Sequence, residues 1–192
     1  MLTKFARQSH YLPTLLILLI PSVVARAAER PNIIVFYTDD HGYADLSCQD
    51  VFDDIRTPNV DALAASGVRA LHGYSTAPQC VPSRAGLMIG KFQARFGVES
   101  NGKSLDGFDR ETTIAQRLEA AGYVTAQFGK WHLGIQDRYL PTRQGYDEFS
   151  GFRNGGSISK DPEVEIDGKV KRRTGFTPDI LTNLAIDFIR RN

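Results

Sequence analysis

Residues 77–91, "APQCVPSRAGLMIGK", set a cysteine directly before Val-Pro-Ser-Arg, in a chain of 192 residues whose only other cysteine is Cys48. A helix can start near Pro82 or Ser83, and the apolar residues that follow suit one. Arg84 then stands one helical turn beyond Cys80, so that guanidinium and sulfur can face the same anion, with the helix N-terminus adding its dipole and free N–H groups. From spacing alone, the simpler reading of Arg84 is a solvated helix-face arginine. Cys80 likewise has a simple reading, a disulfide with Cys48 in an oxidising compartment.

Outward from this stretch, the chain alternates strand-like and helix-like segments. Residues 32–38, "NIIVFYT", are a short apolar run ending at Asp39-Asp40-His41-Gly42, the pattern of a buried strand with polar groups at its C-terminal end. In "TPNVDALAASG", Thr57 reads as an N-cap, Pro58 as the first helical residue and Gly67 as the stop. "VRALHGY", residues 68–74, reads as a second strand. Thr113 and Gln116 have capping-box spacing ahead of a helix with Ile114, Leu118 and Ala121 on one face, and "YVTAQFGK" reads as a strand ending in Gly129-Lys130. The order predicts an α/β fold with a mostly parallel sheet flanked by helices. Such sheets bind ligands beyond the carboxyl ends of their strands, where Asp39, Asp40 and Lys130 all stand. Farther on, "EVEIDGKVKRR" reads as a hairpin turning at Asp167-Gly168. The last segment carries Ile180, Leu181, Leu184, Ala185, Phe188 and Ile189 on one helical stripe that must bury against something.

The first residues carry Lys4 and Arg7, an apolar run from Leu12 to Val24 broken by Pro13 and Pro21, and then Ala25-Arg26-Ala27. This is the pattern of a signal peptide over residues 1–27, too short for a stable membrane span, and it predicts an exported protein, periplasmic or secreted. Its removal would leave residues 28–192 as one domain with 20 basic and 22 acidic side chains, net −2. That balance gives no reason to expect a nucleic-acid partner.

Taken as residue types, Asp39 and Asp40 are hard oxygen donors suited to Ca²⁺ or Mg²⁺, or simply a polar turn after a strand. His132, in "GKWHLG", suits a general acid or an oxygen-binding donor, or else packs beside Trp131.

"CVPSRAGLMIGK" resembles the sulfatase signature Cys-x-Pro-Ser-Arg followed by a Leu/Met-Thr-Gly-Arg segment. "PNIIVFYTDDHGYADLSC", "TPNVDALAASGVR" and "GYVTAQFGKWHLG" resemble that family's other N-terminal blocks, in the same order. The resemblance implies an alkaline phosphatase-like fold, here its N-terminal portion, incomplete because the family's further Asp-Asn metal pair and additional Lys and His residues fall downstream of Asn192. It implies a sulfuric ester hydrolase in which Cys80 is converted to formylglycine by a formylglycine-generating enzyme, and whose hydrated gem-diol attacks the sulfate ester. By position, Asp39, Asp40 and the modified residue 80 would hold calcium, Arg84 would stabilise the modified residue, Lys130 would neutralise sulfate oxygens, and His132 would help expel the second product. The implied substrate is a sulfate ester, with a sulfated carbohydrate suggested by export. The chain departs from the signature at Ile89, where the family has Thr, and at Lys91, where it has Arg.

Two other readings stand beside this one. A truncated, non-catalytic fragment or pseudoenzyme would keep part of the fold and expose the apolar stripe of the last helix. A phosphate or phosphonate ester hydrolase of the alkaline phosphatase superfamily would use a similar sheet and metal site, although the Cys-Val-Pro-Ser-Arg context argues for sulfate.

Overall fold

The computed structural model describes residues 30–102, 104–156 and 158–192; the signal peptide expected over residues 1–27 lies outside them. The chain divides into two units, one ending at Thr38 and the other spanning Asp39–Asn192. In the first, residues 30–38 form no strand, and Ile33, Ile34, Val35 and Phe36 are exposed. A buried strand needs a ladder for its N–H and C=O groups, and among the described residues this run pairs with no strand, so its apolar composition alone does not make it one. Residues 68–74, the second expected strand, are likewise irregular, with Val68 and Tyr74 exposed.

In the second unit, helix α1 (Pro58–Ser66) begins with Thr57 at the N-cap and Pro58 as its first residue, as predicted, but the Thr57 side chain makes no cap hydrogen bond to the helix backbone. Its hydroxyl donates instead to Asp61 at 2.8 Å and accepts from the Ser47 N–H at 3.0 Å, tying the helix to the preceding turn. Gly67 ends the helix in an extended rather than left-handed conformation.

Helix α2 (Cys80–Ile89) starts at Cys80, before the Pro82 or Ser83 that the sequence suggested, with Gln79 as its N-cap. Gly90 ends it in the left-handed region at φ 70°, its N–H donating to the Gly86 carbonyl, as a glycine C-cap does. The buried face of α2, with Val81, Ala85, Met88 and Ile89, joins Phe96, Val98, Phe108, Trp131, Tyr139 and Phe149 in one core. Helix α3 (Ile114–Ala120) carries the predicted capping box: the Thr113 hydroxyl accepts from Gln116 N–H, and the Gln116 side chain accepts from Thr113 N–H. Its inward residue is Ala115, not the expected Ile114, which is 41% exposed, because Thr113 is also pulled inward by donating to the Gln144 carbonyl at 2.6 Å.

The sheet has four strands in the order β1 (Ala126–Lys130), β2 (Glu148–Phe152), β3 (Glu163–Ile166), β4 (Lys169–Arg172). Only β1 and β2 are parallel; β2, β3 and β4 run antiparallel, so the sheet is mixed. The β3–β4 hairpin turns where expected, with Asp167 at φ 50° and Gly168 at φ 74°, the two positive values a tight primed turn requires. Exposed Lys169, Lys171 and Arg172 blunt the outer edge. Helix α4 (Thr177–Arg191) packs on β1 through Phe188 against Phe128, with ring centroids 5.9 Å apart, and its Arg191 grips Glu148 through two hydrogen bonds of 2.9 and 3.1 Å. The predicted stripe is thus half-buried, except that Ile189 is 53% exposed.

Candidate active site

Three stretches of chain meet at the ends of α2 and β1. Asp39 and Asp40 come from the loop that opens the second unit, Cys80 and Arg84 from the first turn and a half of α2, and Lys130 and His132 from the end of β1 and the residues beyond it. Strand alternation explains Lys130. Trp131, next in the chain, points into the core, where it is 2% exposed, donates to the Tyr139 carbonyl at 2.8 Å and meets Phe108 and Tyr146 edge to face, so Lys130 faces the other way.

Asp39 is the hub. Lys130 Nζ donates to its Oδ2 at 2.9 Å, and Arg84 Nη2 lies 3.6 Å from its Oδ1. Arg84 Nη1 also donates to the Lys130 carbonyl at 2.6 Å, and Gln127 Nε2 donates to the same oxygen at 3.2 Å. The arginine side chain is only 12% exposed, so it is no solvated helix-face residue. Partial burial works against the Asp39 carboxylate. The hydrogen bond and charge of Lys130, with the charge of Arg84, outweigh that and hold its pKa below the usual value.

Asp39, Asp40 and Cys80 each offer a ligand atom, and these atoms lie within 4.8 Å of one another. Cys80 and Cys48 are both free thiols, so the disulfide reading is set aside. Asp40 and His132 adopt φ of 53° and 57°, sparsely populated for residues with a Cβ. Asp and His are among the residue types that enter this region most often after glycine and asparagine.

His132 donates its backbone N–H to the Arg153 carbonyl at 3.0 Å, while its buried Nδ1 has no hydrogen-bond partner. Burial, then the positive charges of Lys130 and Arg84, lower its pKa below the usual 6.5, with Asp39 opposing. The folded state thus binds fewer protons here than the unfolded state. The stability that follows is present above about pH 6.5 and lost as pH falls through the depressed folded value. His132→Gln is expected to flatten the fall of Tm in that window, read by thermal unfolding at a series of pH values; an unchanged slope refutes it.

Two contributors escaped the sequence reading. Gln127 sits in a strand and reads only as a polar strand residue. Asn101, whose side chain accepts from Val81 N–H at 3.0 Å beside Cys80, sits before Gly102 and reads as a turn former.

Fold and site together define a class: an α/β protein in which a carboxylate pair and a helix-borne cysteine share a cluster with lysine and arginine. Comparison with known proteins gives that class a family. The family model described as Sulfatase matches residues 31–192. Arylsulfatase A of Homo sapiens is 40% identical over 131 residues, which cover 65% of this chain and 26% of that protein. N-acetylglucosamine-6-O-sulfatase of Bacteroides thetaiotaomicron is 37% identical over 164 residues, covering 84% of this chain and 28% of the relative. A solved complex with the substrate D-glucosamine-2-N,6-O-disulfate superposes with a TM-score of 0.74 at 34% identity, over 85% of this chain and 32% of the other. The structure of Ps i-CgsB with k-i-k-neocarrahexaose gives 0.71 at 30% identity, over 80% and 40%.

This chain belongs to the sulfatase family, and its fold is part of the alkaline phosphatase-like fold of those structures. It spans about a quarter of the length of the curated relatives it matches. Among the described residues, no helix is long and apolar enough to cross a membrane.

Proposed function

We propose that this site serves the hydrolysis of sulfuric esters, with formylglycine made from Cys80 and with Ca²⁺ as the metal. The observation that carries the reading is the convergence of Asp39, Asp40 and Cys80 within 4.8 Å, beside Arg84 and Lys130. A sulfate ester is an anion that repels nucleophiles, so a site for it needs cations around an activated oxygen.

The donor set fits calcium conditionally. Two carboxylates are hard donors, whereas a thiol is soft, so the fit requires an oxygen in place of the Cys80 sulfur. Formylglycine would supply that oxygen as a hydrated aldehyde, and the ion would offset negative charge on the ester. These three donors among the described residues fall short of the usual six to eight, so on their own they are expected to hold calcium weakly.

The chain's own residues have separable roles in this reading. Asp39 and Asp40 hold the metal, Arg84 stabilises the modified residue 80, and Lys130 neutralises sulfate oxygens. His132, whose pKa is lowered below the usual 6.5, helps expel the second product. Sulfated carbohydrates are the proposed substrates, in line with the sugar ligands of the similar structures. Maturation by a formylglycine-generating enzyme and export complete the proposal.

The test is co-expression with a formylglycine-generating enzyme and mass spectrometry of the tryptic peptide spanning residues 70–84. An aldehyde in place of the thiol, captured by a hydrazide probe and absent from Cys80→Ala, is expected. A persistent thiol sinks the reading. Matched aryl sulfate and aryl phosphate assays then separate it from a phosphate or phosphonate hydrolase, which would favour the phosphate.

A further inference from the structure

The first turn of α2 is held by a segment far from it in sequence. Its own donors are few: Pro82 carries no N–H, and the Ser83 N–H closes onto the Gln79 carbonyl at 3.1 Å. Gln79, the N-cap, makes no side-chain cap to its own helix. Its Oε1 accepts from the Asn101 backbone N–H at 2.9 Å, and Asn101 Oδ1 in return accepts from the Val81 N–H at 3.0 Å. Asn101 therefore bonds to the residues on both sides of Cys80.

The segment that brings Asn101 there is itself anchored. Val98 and Phe96 are buried in the core, and Val98 N–H donates to the Gln93 carbonyl at 3.1 Å. Gln93 Nε2 donates to the Thr76 carbonyl at 3.0 Å. Residues 93–101 thus form a strap fastened at Thr76 on one side of Cys80 and at Val81 on the other.

We propose that Asn101, with Gln79, is a positioning residue that sets the place of residue 80 against Asp39 and Asp40. The strap fixes the backbone on either side of residue 80, while the carboxylates come from an independent loop, so their distance to the sulfur depends on how tightly that turn is held. One neutral hydrogen bond is modest in stability terms, but small displacements of a reacting group are costly in rate. The proposal rests on the reading of residue 80 as the nucleophile's precursor.

The test uses the whole chain expressed without a formylglycine-generating enzyme, so that both cysteines remain thiols. Iodoacetamide labelling of Cys80 is timed against Cys48, each followed in its own tryptic peptide. Asn101→Ala is expected to raise the Cys80 rate relative to Cys48 about fivefold, as loss of one hydrogen bond loosens the turn. Asn101→Asp, which keeps the oxygen facing Val81 N–H, is expected to restore the wild-type ratio. Should Asn101→Ala fail to fold, Gln79→Ala, which removes only the outer bond, is expected to shift the ratio in the same direction by less. An unchanged ratio, a rise of both cysteines in step, or an Asn101→Asp variant as fast as Asn101→Ala overturns the proposal. Failure of Cys80 to mature would sink the sulfatase reading and leave this ratio untouched.

Discussion

Gly151→Ala is expected to be the most damaging single methyl group in the sheet, destabilising the protein by more than about 3 kcal/mol, beyond the ordinary range for overpacking. Gly151 pairs with Gly129 in the parallel β1–β2 ladder and with Glu165 in the antiparallel β2–β3 ladder. A Cβ there would stand 1.9 Å from the Gly129 carbonyl oxygen, and no rotamer change relieves a clash with backbone. The strands would have to part just ahead of Lys130, so the site should suffer with the fold. Gly168→Ala is the control: its φ of 74° strains an alanine, but nothing lies within 4 Å of the added carbon. That change should cost only about 1 kcal/mol. Urea denaturation of both variants decides; equal losses would show that crowding at the β1–β2 pair is not the cause.

Arg84→Ala is expected to have the largest effect on the site itself. The guanidinium joins the Lys130 carbonyl to the Asp39 carboxylate, so its removal leaves the carbonyl with Gln127 as its remaining bonded side chain and Asp39 with Lys130. A stability loss of about 2 kcal/mol is expected from the lost charge-assisted hydrogen bond to the part-buried carbonyl. In a matured protein, aryl sulfate hydrolysis should fall by roughly 10²–10³, the scale seen when one preorganised charge-stabilising donor is removed. Arg84→Lys should not restore it, because an ammonium cannot make both forked contacts. Hydrolysis by Arg84→Ala within a factor of about three of wild type would remove arginine from the proposed site.

Much of this was legible in local pattern. The four-residue spacing of Cys80 and Arg84, the Thr113–Gln116 capping box and the Asp167-Gly168 turn all formed, because each is specified by neighbours within one turn or one hairpin. Patterns that depend on distant partners fared worse. Residues 32–38 and 68–74 have strand composition but no ladder among the described residues, and composition cannot supply hydrogen-bond partners. The start of α2 moved from Pro82 or Ser83 to Cys80 because Asn101, outside the helix, takes up the Val81 N–H.

By itself, then, the amino-acid sequence determined the local elements and the identity of the polar groups: a cysteine and an arginine one turn apart, paired aspartates, and a Lys-Trp-His run at a strand end. Only the tertiary structure decided their meeting. Lys130 reaches Asp39 across 91 positions of chain, and Asn101 reaches Val81 across 20. It also holds Asp40 and His132 at positive φ, an uncommon conformation for any residue with a Cβ. Such contacts belong to no repeat or spacing, since they arise where the core beneath α2 and the end of β1 set separate segments side by side.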